Sequence, residues 1–99
     1  MKRSRIADIL QSQPIGSEVK VCGWVRTFRN NQFAAVSDGS TIKTLQFVID
    51  RDQTDDAIRK RITTGAAIQA KGKIVESQGR GQSVELVVEE IKIHMVKRL

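Results

Sequence analysis

Residues 21–50 contain short stretches in which apolar and polar side chains alternate, and this alternation limits the fold more than any other feature. Leu45, Phe47 and Ile49 fall on one face of an extended strand, while Gln46 falls on the other. Side chains of a strand point alternately to its two faces, whereas a helix would repeat its apolar positions every three or four residues. The pattern therefore predicts strands with one aliphatic face turned toward a core.

The strand before it, residues 33–38, leaves an aromatic ring on the opposite face. Because Ala34 and Val36 take the inward phase, Phe33 is predicted to point outward. The candidate binding residues in this region are Arg26, Arg29, Phe33 and Gln46. An exposed ring beside an amide and guanidinium groups offers an unpaired base a stacking surface and a hydrogen-bonding edge. A slip of one residue in register would instead bury Phe33, and a lone Gln46 would be an ordinary solvated residue.

The order of the predicted elements points to one architecture. Strands are predicted at residues 18–29, 33–38, 43–50 and 66–76 and from about residue 82 onward, and helices at residues 5–10 and 55–62. Three strands, a helix and two further strands are the order of an OB-fold, an all-β barrel of five strands. An SH3-like barrel is the alternative, but it lacks a helix after the third strand. We expect residues 1–16 to form an N-terminal helical extension and residues 17–99 to form the barrel.

Four local features of these elements are also predicted. Ser4 is expected to cap the first helix, and Gly23 is expected to let the first strand bend sharply. The inward phase of the fifth strand slips at Glu89 and Glu90, which predicts a β-bulge. The predicted inward face of the second helix consists of Ala57, Ile58, Arg61 and Ile62.

Charge and composition restrict the function. The chain has 99 residues and a net charge of +6, which favours a nucleic acid over an acidic membrane as partner. The single Cys22 suits a reducing, cytoplasmic setting, and no apolar run reaches the length of a membrane span. His94 lies far from Cys22 in sequence, so no nucleophile, base or metal-ligand spacing is found. Trp24 is expected to pack rather than to stack on a base.

Several segments resemble a known family. They are residues 23–27 (GWVRT), 33–40 (FAAVSDGS), 45–49 (LQFVI), 63–65 (TTG) and 72–82 (GKIVESQGRGQ). In order and spacing they resemble the N-terminal anticodon-binding domain of class IIb aminoacyl-tRNA synthetases, most closely the bacterial asparaginyl enzymes. The resemblance covers nearly the whole chain.

The resemblance implies a role for each candidate residue. Phe33 would stack on the central anticodon base, a uridine, and Gln46 would pair with its edge. Glu85 would lie near the third anticodon base, and Arg26 and Arg29 would meet the RNA backbone. Two features depart from the family: the loop after the first strand is short, which affects how far Arg29 reaches, and Phe28 stands where an arginine is usual.

The resemblance also implies a larger protein. The chain would be a non-catalytic part of an asparagine–tRNA ligase that uses ATP and Mg²⁺ in a separate domain, forms a homodimer in the cytoplasm and binds the tRNA(Asn) anticodon stem-loop. No catalytic residue, cofactor or metal is expected in this chain, and no membrane partner. Alternatives are an aspartyl- or lysyl-type domain, a free-standing single-strand-binding OB protein, a small nuclease, or a protein-interaction barrel.

Overall fold

A computed structural model describes residues 2–50, 52, 54–77 and 83–94 of the chain. Its elements are α1 (Ile6–Ser12), β1 (Glu18–Arg29), β2 (Phe33–Ser37), β3 (Leu45–Val48), α2 (Asp56–Lys60), β4 (Ala67–Glu76) and β5 (Val84–His94). The strands close into a barrel in the order β1-β2-β3-β5-β4, in which β3 and β5 pair in parallel and the other neighbouring strands are antiparallel. The predicted OB-fold is therefore confirmed. The predicted start of the fifth strand, residue 82, lies outside the described residues.

The barrel interior is filled by the aliphatic faces that the alternation predicted. Leu45, Phe47 and Ile49 have no exposed surface, and neither do Ala34 and Val36. β3 is shorter than predicted, although the Ile49 amide continues its pairing with β2 by donating to the Gln32 carbonyl at 2.8 Å. Burying such side chains contributes roughly 1.5–3 kcal/mol each.

β1 is long enough to serve two sides of the barrel. Its first half pairs with β4 and its second half with β2. Gly23 lies where the strand changes partners, and a β-carbon there would be 2.2 Å from the Ser37 carbonyl oxygen. Only glycine allows the two backbones to come this close at the point where the strand changes partners.

The predicted bulge in β5 is confirmed at Glu89. Lys71 of β4 faces Glu90, whereas Gly72 faces Val88, so Glu89 has no partner in the ladder. One extra residue shifts the inward phase by one position. Consequently Ile91 and Ile93 pack against the core after the bulge.

A second bulge, in β1, was not predicted. Val25 faces Val36 and Thr27 faces Ala35, so Arg26 is the extra residue. Before the bulge, odd-numbered residues such as Val25 point inward. After it Phe28 packs against the core, and odd-numbered residues point outward.

The first helix is capped by a distant turn, and the prediction of a Ser4 cap is wrong. The N-cap residue is Arg5, whose side chain makes no capping bond. Instead the Ile6 amide donates to Asp38 Oδ2 at 2.8 Å and the Ala7 amide donates to Ser40 Oγ at 3.0 Å. Tertiary packing brings the turn to the helix, because α1 buries Ile6 and Ile9 in the same core as the barrel.

These bonds also set the acidity of Asp38. Partial burial of the carboxyl would raise its pKa, but hydrogen bonds from the Ser40 hydroxyl and from the Ile6 and Ser40 amides outweigh burial. The pKa of Asp38 therefore lies below its usual value. The ionised form is the one that caps the helix.

The predicted inward face of the second helix is correct only in part. Ile62 is buried and Ile58 is partly buried, but Ala57 and Arg61 are exposed. Arg59, which was not predicted to point inward, is buried and pairs with Asp56. The helix ends in i→i−3 bonds, with the Ile62 amide donating to the Arg59 carbonyl at 3.1 Å. Residues three apart are aligned in such a tight turn, so Ile62 and Arg59 lie on the buried side together.

Candidate nucleic-acid interface

The outer surface of β1, β2, β3 and β5 brings four of the five candidate residues together. We call it the Phe33 face; it comprises Arg29, Phe33, Ala35, Gln46, Val48 and Glu85. On β2, Phe33 lies between Arg29 of β1 and Val48 of β3 in the ladder and is half-buried. The predicted outward direction of Phe33 is confirmed, because its neighbour Ala34 has no exposed surface.

The turn between β1 and β2 places Arg29 directly beside the ring. Asn30 and Asn31 both have positive φ, 53° and 56°, and the Gln32 amide donates to the Arg29 carbonyl at 3.0 Å. Asparagine tolerates this left-handed conformation better than most residues, and two such residues in succession fit the tight turns of hairpins. The short loop thus brings Arg29 to the site rather than holding it away.

The β1 bulge is the second feature that places Arg29 on the Phe33 face. In an unbroken strand Arg29 would share the inward phase of Val25. The extra residue, Arg26, reverses that phase and turns Arg29 outward. Arg26 and Arg29 are both exposed only because the strand is bulged between them.

Gln46 is the centre of a hydrogen-bonded chain of three side chains. Its Oε1 accepts from Arg29 Nη2 at 3.3 Å, and its Nε2 donates to Glu85 Oε2 at 2.5 Å. A reversed amide would direct NH₂ at a cation and an oxygen at a carboxylate. Both partners therefore favour the same orientation of the amide. Sequence alone did not identify what orients Gln46; Arg29 and Glu85 do so.

Glu85, which the family resemblance places near the third anticodon base, is largely buried. It contacts Gln46, but only 7 % of its surface is exposed. It is therefore not part of a solvated strand face. A carboxylate removed from water needs hydrogen-bond partners, and the Gln46 amide is one.

Arg26 lies apart from this chain of side chains. It lines a cleft of about 640 Å³ with Trp24, Ser37, Ser40, Thr41 and Ile42, which we call the Trp24 cleft. Phe28, the other departure from the family pattern, packs partly buried against the core and has no group that could donate a hydrogen bond to a phosphate.

The arrangement suits recognition of an unpaired base. A half-exposed ring can stack on a base of any type. The oriented amide presents an acceptor on the Arg29 side and a donor on the Glu85 side, which together match one base edge. No group of three or more His, Cys, Asp or Glu side chains within the described ranges could hold a metal ion. No helix in the same part of the chain is long and apolar enough to cross a membrane.

The closed barrel and the order of its strands define an OB-fold domain. The chain belongs to the family of OB-fold nucleic acid binding domains of the tRNA anticodon type, which it matches over residues 19–93. It is homologous to the anticodon-binding domain of asparaginyl-tRNA synthetases.

Two relatives illustrate the similarity. The chain is 48 % identical over 96 residues to the asparagine–tRNA ligase of Parabacteroides distasonis and 50 % identical over 97 residues to that of Porphyromonas gingivalis. These matches cover 94 % and 95 % of the chain but 20 % and 21 % of the relatives. The chain thus spans about a fifth of the length of the curated relatives it matches.

Solved structures show the same fold. Asparaginyl-tRNA synthetase from Pyrococcus horikoshii, complexed with asparaginyl-adenylate, matches with a TM-score of 0.73 and 14 % identity over 94 % of this chain and 22 % of that one. OBody AM2EP06, bound to hen egg-white lysozyme, matches with a TM-score of 0.75 and 24 % identity over 94 % of both chains.

Proposed function

We propose that this chain binds the anticodon stem-loop of tRNA(Asn) as the N-terminal domain of an asparagine–tRNA ligase. Residues 17–99 would form the anticodon-binding barrel and residues 1–16 its extension. In the whole ligase, a cytoplasmic homodimer, a separate domain would use ATP and Mg²⁺ to attach asparagine. The observation that carries the proposal is the Arg29–Gln46–Glu85 chain of hydrogen bonds beside the Phe33 ring.

Phe33 supplies affinity without choosing the base. We propose that the central anticodon base, a uridine, stacks on the ring. Stacking on an aromatic side chain contributes about 1–3 kcal/mol per base. The ring is supported from behind by the closed barrel, so little conformational freedom is lost when a base binds.

Gln46 supplies the choice of base. Uracil presents an N3–H donor next to carbonyl acceptors, whereas cytosine presents an acceptor next to an amino donor. An amide oxygen accepts from N3–H while its NH₂ donates to a carbonyl, so the two atoms together match uracil. A base edge would add to, or displace, the present contacts of the amide. Cytosine would require the reversed amide, which Arg29 and Glu85 disfavour.

The charged residues have separate roles in the proposal. Arg26 and Arg29 attract the RNA backbone, an effect that weakens with salt at a log–log slope of about −0.7 per phosphate contact on single strands. Glu85 would lie near the third anticodon base and orient Gln46 by accepting a hydrogen bond from its NH₂.

Binding to three stem-loops with central U, C or A tests the proposal. Phe33→Ala should weaken binding to all three by about 1–3 kcal/mol, because stacking is lost whatever the base. Gln46→Ala should reduce the preference for U more than it reduces affinity. Gln69→Ala on β4, outside the Phe33 face, is the matched control and should leave both unchanged. Equal binding of the parent to all three loops would indicate a single-strand binder without base preference.

A further inference from the structure

The Trp24 cleft is a second apolar surface that the anticodon triplet does not account for. Ile42 is fully exposed and Trp24 is 39 % exposed, although large apolar side chains usually pack inside. The far end of the indole, Cη2, would lie 3.6 Å from a β-carbon added at Gly39, whose φ is +82°. The ring thus rests against Gly39, the residue of this turn that has no side chain, and part of the indole remains open to the cleft.

The cleft also carries a positive charge and a hydroxyl group. The β1 bulge exposes Arg26, which lines the cleft with the indole and with Thr41. Ser40 also lines the cleft, but its hydroxyl already bonds the Ala7 amide and Asp38. A flat apolar ring, a guanidinium and a hydroxyl match the parts of a nucleotide: a base to stack, a phosphate and a sugar. A cleft of about 640 Å³ is within the usual range for small-molecule sites.

The cleft continues the Phe33 face. Trp24 faces Ser37 in the ladder, and Ser37 follows Phe33 by four residues on the same side of β2. At about 3.4 Å per residue the two aromatic residues are separated by roughly 13 Å along the strand. Only the small side chain of Ala35 lies between them on that strand. Stacked neighbours of the central base lie one repeat of about 3.4 Å away, so a separation of roughly 13 Å places the Trp24 cleft beyond the first and third bases of the triplet.

We propose that the Trp24 cleft binds a nucleotide outside the anticodon triplet, with its base stacked on Trp24 and its phosphate on Arg26. The proposal rests on the proposed function, because the same single strand would occupy both surfaces. Charge complementarity and continuity with the Phe33 face favour RNA over a protein partner in the cleft.

Trp24 is the chain's single tryptophan, so its fluorescence reports on the cleft alone. Three oligoribonucleotides are titrated: the bare triplet with central U, and the same triplet extended by three nucleotides on the 5′ or on the 3′ side. We expect one extension to raise affinity about five- to a hundredfold over the triplet and to quench Trp24, as stacking on an aromatic ring predicts. The bare triplet should bind without quenching.

Variants separate this inference from the proposed function. Trp24→Leu should abolish the gain from extension and Trp24→Phe should retain most of it, with the fold of each checked by circular dichroism. Phe33→Leu should weaken the bare triplet and the extended strand alike. If Phe33→Leu weakens both but neither extension quenches Trp24 or gains affinity, the cleft inference is wrong and the proposed function stands. If Phe33→Leu weakens neither, the proposed function itself is wrong.

Discussion

Replacing Glu85 with glutamine should loosen base choice while leaving stacking intact. In the parent protein a reversed Gln46 amide would direct its oxygen at a carboxylate, since Nε2 lies 2.5 Å from Glu85 Oε2. A neutral glutamine at position 85 can donate as well as accept, so it tolerates either orientation. The bond from Arg29, 3.3 Å long, would still favour the original one.

The size of the effect follows from the hydrogen bond to Glu85 that a reversed Gln46 amide would lose in the parent protein. A hydrogen bond to a charged group contributes about 1.5–3 kcal/mol. Glu85 is only 7 % exposed, so solvent screens this interaction little. Cytosine binding, which needs the reversed amide, should therefore cost about 1.5–3 kcal/mol less in the variant. The preference for U over C should fall by roughly ten- to a hundredfold.

The assay is fluorescence anisotropy with labelled stem-loops that differ only at the central base, at one fixed salt concentration. Glu90→Gln removes the same charge from an exposed position on β5 and is the matched control. It should retain the full preference for U. If Glu85→Gln folds normally and also retains it, orientation of the amide by Glu85 is not the source of base choice.

Three further predictions concern stability, each measured by urea unfolding. Asp38→Ala should cost about 0.5–2 kcal/mol at pH 7 by removing the cap of α1. Because the pKa of Asp38 is lowered in the folded state, this loss of unfolding free energy should be present above about pH 4 and shrink as pH falls through the folded pKa. A loss that stays constant down to about pH 2 would contradict this. The pKa of Glu89 is raised by a hydrogen bond with Glu18, by desolvation and by repulsion from the Glu18 carboxylate. Glu89→Gln should therefore stabilise the folded protein at pH 7 and have no effect on stability below about pH 4. A loss of stability at pH 7 would refute this. Gly72→Ala should destabilise strongly, because its β-carbon would be 1.9 Å from the Val87 carbonyl oxygen; an unchanged midpoint would show that the strands relax.

The barrel could be predicted from sequence because its main signal is local. Alternation along a strand needs only the chain itself, and it correctly placed Phe47 inside and Phe33 outside. The bulge at Glu89 was equally readable, because the inward phase visibly shifts before Ile91. The β1 bulge at Arg26 could have been predicted in the same way, because Arg26 and Arg29 cannot both face outward from an unbroken strand.

The features that escaped prediction depend on residues far apart in the chain. The α1 cap joins Ile6 to Asp38, and the amide of Gln46 is held by Arg29 and Glu85 from two other strands. No local pattern encodes such contacts, since strand order in a closed barrel creates them. The inward face of α2 was predicted only in part for a different reason: the helix has 5 residues, and i→i−3 bonds at its end turn Arg59 inward, which the helical period does not predict.

The most direct test of the account is an NMR titration of the ¹⁵N-labelled chain with the anticodon stem-loop of an asparagine tRNA. The largest shifts should fall on the Gln46 side-chain NH₂ and on the backbone amide of Phe33, and replacing the central U by C should diminish them. Shifts confined to β4, or the same shifts with either loop, would contradict recognition of the central base at the Phe33 face.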